Sequence, residues 1–145
     1  MSVKGQLQTV EYVYDFAVDG GAAGAIDLSA KDNKAVLPDN AIVKSVFAKV
    51  ITAIVGTSST LSWGNTTDPD GYSGTAIAEA SLTAGVVYNG WDNGAALIWD
   101  TDHPIYYNVG TTANNKDFSC TIGTADLTAG KVVFVVEYYI PAVDQ

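Results

Sequence analysis

The chain has 145 residues, with seven lysines and no arginine against 16 acidic side chains, and a formal charge of −9. Hydrophobic residues at 48% and charged residues at 16% exclude a disordered chain, and the length suits one domain whose core needs no metal or disulfide. Excess negative charge without a guanidinium fork argues against nucleic acid as a ligand. Met1 to Thr9 lacks the apolar core of a secretory signal, and no run reaches the roughly 18–20 apolar residues of a membrane span, so neither membrane nor export signal is expected. A lone cysteine, Cys120, allows no internal disulfide.

Apolar residues recur with a period of two, and most are β-branched or aromatic, which suits a pleated surface. From Thr9 to Val18, the residues Val10, Tyr12, Tyr14, Phe16 and Val18 share one face opposite Glu11, Asp15 and Ala17, predicting a half-buried strand. A short strand is expected at Ala22 to Ser29. The stretch Ala41 to Val55 is apolar on both faces apart from Lys44, Ser45, Lys49 and Thr52. Its β-branched residues favour a long strand, covered on each side, over a helix. Further strands are expected at Thr60 to Trp63, Thr75 to Ala80, Gly85 to Tyr88, Ala95 to Trp99, Ile105 to Val109 and Asp117 to Ile122. In the last of these Cys120 alternates with polar residues and reads as a small core hydrophobe. Lys131 to Ile140 closes the chain as another alternating strand, expected to lie beside the first.

Turn residues divide these segments at Asp19-Gly20-Gly21, Asp32-Asn33, Leu37-Pro38-Asp39-Asn40, Asp68-Pro69-Asp70-Gly71, Asn89-Gly90, Asp92-Asn93-Gly94 and Asn114-Asn115. Eight to ten strands without a convincing helix predict an all-β, antiparallel sandwich or barrel occupying residues 1–145 as a single domain. Residues 1–8 and 141–145 are candidate terminal arms. An internal echo, Ala80-Ser81-Leu82-Thr83-Ala84-Gly85-Val86-Val87 against Ala125-Asp126-Leu127-Thr128-Ala129-Gly130-Lys131-Val132-Val133, reads as one turn type used twice to enter a strand.

Chemistry-bearing motifs are sparse. Asp100, Asp102 and His103 form the densest ionisable group, but no further ligand at metal-binding spacing accompanies them, and Pro104 marks a loop. Asp68-Pro69-Asp70-Gly71 resembles part of a calcium loop, yet the third early ligand and the distal Glu are missing. Asn65-Thr66-Thr67 matches a glycosylation acceptor in a chain with no secretory signal. With one histidine and Cys120 facing inward, no nucleophile–base pair can be assembled, so no enzyme, cofactor or metal is expected. The aromatic inventory is richer. Tyr12, Tyr14, Phe16, Phe47, Phe118 and Phe134 fit the core periodicity, whereas Trp91 sits among turn residues. The adjacent pairs Tyr106-Tyr107 and Tyr138-Tyr139 must each send one ring outward. Trp91, Tyr72, Tyr107 and Tyr139 are therefore the candidate protein-contact residues. Trp91, Tyr72 and Trp63 are the stacking candidates if the ligand were a carbohydrate.

The order Tyr12 to Gly21, Leu37 to Val43, Thr60 to Gly64, Asp68 to Tyr72, then Leu127 to Lys131 and Val135 to Tyr139 resembles small virion proteins of tailed bacteriophages. It looks most like head decoration, or cement, proteins with a jelly-roll fold, and the likeness spans nearly the whole chain. The resemblance implies a non-enzymatic jelly roll, made in the bacterial cytoplasm, that binds the outside of the capsid. Its partners would be the major capsid protein and further copies of itself, as a dimer or trimer. A carbohydrate-binding or host-adhesion module and a tail or neck subunit are the alternatives.

Overall fold

A computed structural model describes residues 5–31, 36–89 and 107–141. Nine strands are present among them: β1 (Gln8–Asp15), β2 (Gly24–Asp27), β3 (Ile42–Gly56), β4 (Thr60–Gly64), β5 (Ile77–Ala78), β6 (Val87–Asn89), β7 (Tyr107–Asn108), β8 (Ser119–Gly123) and β9 (Leu127–Tyr139). The first sheet has the order β1-β9-β3-β6, with β7 as a second partner of β3, and the other has the order β2-β8-β4-β5. Every pairing is antiparallel. Setting β7 aside, each successive strand crosses to the other sheet except β4 to β5, which pair within one sheet; this is the two-Greek-key strand order of a jelly roll. The all-β sandwich expected from the period-two pattern is the observed fold, and the two terminal strands pair from Gln8 with Tyr138 through Asp15 with Lys131.

Alternation places the core. Tyr12 and Tyr14 of β1, Val46, Ala48 and Val50 of β3, and Val132, Phe134 and Val136 of β9 point inward and are fully or almost fully buried. The opposing sheet supplies Leu61, Trp63, Cys120 and Ile122. Rings connect the layers: Tyr12 stacks on Phe118 at 4.7 Å, Phe118 meets Phe134 at 5.2 Å, and Phe134 meets Trp63 at 5.2 Å. Burial pushes the Cys120 thiol up to about 12, so this cysteine is an inert core residue, as its alternation suggested.

Three expectations are corrected. The first strand stops at Asp15, and Phe16–Asp19 forms a single helical turn, α1. Asp15 caps it by accepting from the Ala17 N–H, Asp19 Oδ2 accepts from the Asp15 N–H at 2.8 Å, and Gly20 closes it with a positive φ. Local side-chain acceptors thus override the alternation of Phe16 and Val18. The expected strand at Thr75 to Ala80 shrinks to two residues followed by a 3-10 turn at Glu79–Ser81. Asn114-Asn115, expected as a turn, lies in a short helix, α2 (Ala113–Lys116). The strand expected at Ala95 to Trp99 lies outside the described residues.

The internal echo has a spatial meaning. Its two copies run along opposite edges of β3: Gly85 and Val86 bond to Val50, while Ala129 pairs with Val55. Leu82 and Leu127 both plug the core, and Gly85 and Gly130 both have positive φ. Gly64, at the end of β4, is packed against the following turn, and a Cβ there would fall on the Asp68 carbonyl and 2.8 Å from the Gly71 nitrogen. Both obstacles are backbone and cannot swing aside. Gly64→Ala is therefore expected to lower unfolding stability by about 1–3 kcal/mol in urea titration, with the slope unchanged. A stability within ~0.5 kcal/mol of the parent would contradict that packing.

Candidate functional site

Two regions concentrate polar or aromatic groups. One is the end of the sandwich where the 65–72 turn meets the segment 112–118. Asn65 is fully buried; its Oδ1 accepts from the Asp68 N–H at 2.8 Å, and its Nδ2 donates to the Asn115 carbonyl. Asp117 accepts from the Thr66 N–H at 3.0 Å and from the Thr66 hydroxyl, while Thr67 Oγ1 donates to Asn115 Oδ1 at 2.6 Å. The acceptor motif at Asn65 is thus a buried structural clasp that no glycan could reach in the folded chain. Among the described residues, no three His, Cys, Asp or Glu side chains are grouped as metal ligands. Asp100, Asp102 and His103 lie outside the described residues.

Tyr72 is overturned as a surface contact. It is 1% exposed, stacked on Phe118 at 5.9 Å with Tyr107 edge-on at 6.4 Å. Trp63, fully buried against Phe134, likewise offers no stacking platform. Burial and then the neighbouring Tyr107 push the Tyr72 phenol upward, so neither ring supplies an anion near neutrality. Tyr107 itself is half-buried at the rim of this end. Trp91 lies outside the described residues.

The second region is the outward face of the β1-β9-β3-β6 sheet. Register sets its rows: Glu11, Val135, Phe47 and Asn89 lie side by side, as do Val13, Val133, Lys49 and Val87. Tyr139 lies on the same face of β9, opposite Ile42, because Tyr138 turns inward. Ile51, Val55 and Val87 are 45%, 46% and 57% exposed, so β3 is not covered on both sides as its sequence suggested. Phe47, assigned to the core by periodicity, belongs to this outer face. A register shift between Val43 and Ser45 changes the phase of β3, so Val46 and Ala48 point inward and Phe47 outward. The signal available in the sequence was Lys49, two residues further along and necessarily on the same face.

Electrostatically this face stands apart. Lys49 and Lys131 lie on it, and Lys44 is exposed at the β3 bulge beside it, against Glu11, Asp15 and Glu137. Lys131 sits 3.9 Å from Asp15, and Glu137 accepts from the Ser45 hydroxyl. The other described residues carry two lysines, Lys31 and Lys116, against eight carboxylates. The result is a balanced face with an apolar strip through Val13, Val133, Val135 and Phe47, on a chain that is otherwise acidic.

No protein-family model matches the chain, and no curated protein matches its sequence. Solved structures do match its fold. A chain of the cyanophage Pam1 capsid asymmetric unit aligns over 97% of this chain and 89% of its own length, with a TM-score of 0.60 and 16% identity. A chain of the acidic stable capsid of the Helicobacter pylori bacteriophage KHP30 aligns over 99% and 97%, with a TM-score of 0.58 and 17% identity. One from the capsid of Ralstonia phage GP4 aligns over 99% and 92%, at 0.50 and 17%. At such identities the similarity is one of fold, and it covers nearly the entire chain.

Asp68, almost buried at the sandwich end, provides a titratable marker. Burial, and then the Asp70 carboxyl beside it, push Asp68 up to about 6 from the ordinary carboxylate value near 4. The folded state therefore holds a proton that the unfolded chain has already lost between about pH 4 and about pH 6. Asp68 contributes stability below that window which is lost as pH rises through it. Thermal unfolding at fixed ionic strength should show this fall in the native chain, and Asp68→Asn should flatten it. An unchanged slope in Asp68→Asn would assign the effect elsewhere.

Proposed function

We propose that this chain is a non-enzymatic virion structural protein that binds the outside of a phage head and stabilises the expanded capsid by bridging major capsid subunits. The observation that carries the reading is the near full-length fold likeness to chains from three phage capsid structures. The outward face of the β1-β9-β3-β6 sheet supplies the contact. It combines an apolar strip with balanced charge, so it can leave water against a protein neighbour without stranding an unpaired ion. Each of its half-buried valines, taken fully out of water, contributes about 1 kcal/mol. The acidic remainder keeps the free protein soluble and turns away DNA.

Stabilisation follows from linkage. A protein that binds the expanded shell and not its precursor lowers the free energy of the expanded state alone, by an amount set by its concentration relative to Kd. Contact with two shell subunits by one rigid sandwich makes the second contact effectively intramolecular. Neither step needs a pocket, a cofactor or a nucleophile.

Added to undecorated expanded heads, the purified protein should bind saturably, in a fixed ratio to major capsid subunits, and raise the temperature at which heads disrupt. Val135→Glu, which sets a charge into the apolar strip, should weaken that binding at least tenfold while shifting the free protein's Tm by only a few degrees. Val18→Glu, on exposed α1 away from the strip, should bind like the parent. Absence of binding to expanded heads would overturn the proposal. Equal loss in both variants would remove the strip as the contact.

A further inference from the structure

We propose that two copies of this chain join through the free edges of their β1 strands, forming one continuous sheet across a two-fold axis at Val10. This strand is the outermost of its sheet, and its eight residues make it the longest edge among the described residues. Its backbone orientation is fixed by two contacts. The Val13 carbonyl accepts from Lys31 Nζ at 2.6 Å, and the Asp15 N–H donates to Asp19 Oδ2. Odd-numbered residues of β1 therefore turn their peptide groups away from β9. The alternation agrees with that of β3, where Val50 turns away from β9 to bond Gly85 and Val86.

Those contacts close only one half of the edge. Lys31, paired with Asp19 at 2.7 Å, clasps the C-terminal half of β1. At the other half, the outward peptide groups of Thr9 and Glu11 have no hydrogen-bond partner among the described residues. An open ladder of this kind is completed by an antiparallel strand.

The occupant is singled out by register. On an isologous edge, odd residues must face odd residues. An axis at Glu11 sets two carboxylates directly opposite each other, which is repulsive. An axis at Tyr12 drives the second copy into the Lys31–Asp19 clasp. An axis at Thr9 leaves Glu11 against apolar Leu7. With the axis at Val10, Thr9 of each copy lies opposite Glu11 of the other, giving two backbone hydrogen bonds in each of the two pairs. Leu7, 50% exposed just before β1, then approaches Val13 of the other copy. The edge is complementary to itself in that one register.

Two chains of charge −9 repel, so the association tightens as salt screens them. The dimer concerns the free chain and stands apart from the proposed capsid role. Only its consequence, two apolar strips on one rigid sheet able to engage two shell sites, rests on that role.

Sedimentation equilibrium of the full chain over a hundredfold concentration range is expected to give a monomer–dimer equilibrium that reaches twice 15.2 kDa and strengthens with added salt. Glu11→Pro removes an edge N–H that does not serve the ladder to β9, a position where proline is tolerated in strands. It should raise the dimer Kd at least tenfold with unchanged circular dichroism. Val10→Cys places two thiols on the axis, where opposite Cα atoms of a non-hydrogen-bonded pair lie about 4.5 Å apart, within disulfide reach. Mild oxidation should cross-link it, while Glu11→Cys should stay uncross-linked. A native chain that is monomeric or trimeric throughout, or a Val10→Cys chain that does not cross-link, overturns the inference. Because no heads are present, neither outcome bears on capsid binding.

Discussion

Contact between the two sheets runs through a connected set of buried rings, and the outer surfaces keep their shape because that inner contact is tightly packed. Phe118 is the node. It stacks on Tyr12 from the first sheet, lies nearly parallel to Tyr72 from the 65–72 turn, and tilts against Phe134, which in turn meets Trp63. Offset and edge-on rings each add about 0.5–1.5 kcal/mol beyond the area they bury. More important here is geometry: large rigid side chains leave few alternative packings, so β9 is held at one height over β4 and β8. The outward presentation of Val133, Val135 and Phe47 side by side on the opposite face follows from that fixed spacing.

A second constraint acts at the ends. Clasps made of short polar side chains satisfy backbone groups where strands stop: Asp15 and Asp19 around α1, Asn65 and Asp117 around the 65–72 turn. The carboxylates among them, Asp15, Asp19 and Asp117, are spent on backbone donors, with Asp19 also paired to Lys31, so among the described residues an acidic chain with few cations satisfies them without a dense network of ion pairs. It also leaves the residual surface charge on loops and edges, away from the one face with balanced charge.

Strand existence was legible wherever alternation ran over several residues, as in Tyr12–Tyr14 and Val132–Val136, because one buried face imposes a period of two. Phase was less legible. A bulge between Val43 and Ser45 costs a single residue but reverses which side the following residues of β3 face until the next register shift after Val50, and Lys49 is the one residue there whose charge announces it. Phe47 and Tyr72 were misplaced for related reasons: one by this phase shift, the other because a turn tyrosine two residues past Asp70 is folded back under the Trp63 carbonyl, which accepts from the Tyr72 and Ser73 N–H groups. Tyr139 lies on the outward side of β9, opposite its buried neighbour Tyr138, as alternation along an uninterrupted strand requires.

Edge and face of the first sheet have opposite chemistry, and that opposition separates their roles. The face is side-chain surface, apolar and balanced in charge, suited to broad contact with a differently shaped protein. The edge is peptide surface whose specificity comes from alignment rather than from area. A strand open along its whole length would pair indiscriminately and risk aggregation. Here Lys31 and Asp19 close one half, and Glu11 penalises registers that bring it opposite itself. A partner that adds a strand without covering the face leaves the apolar strip free, so both surfaces can be occupied at once.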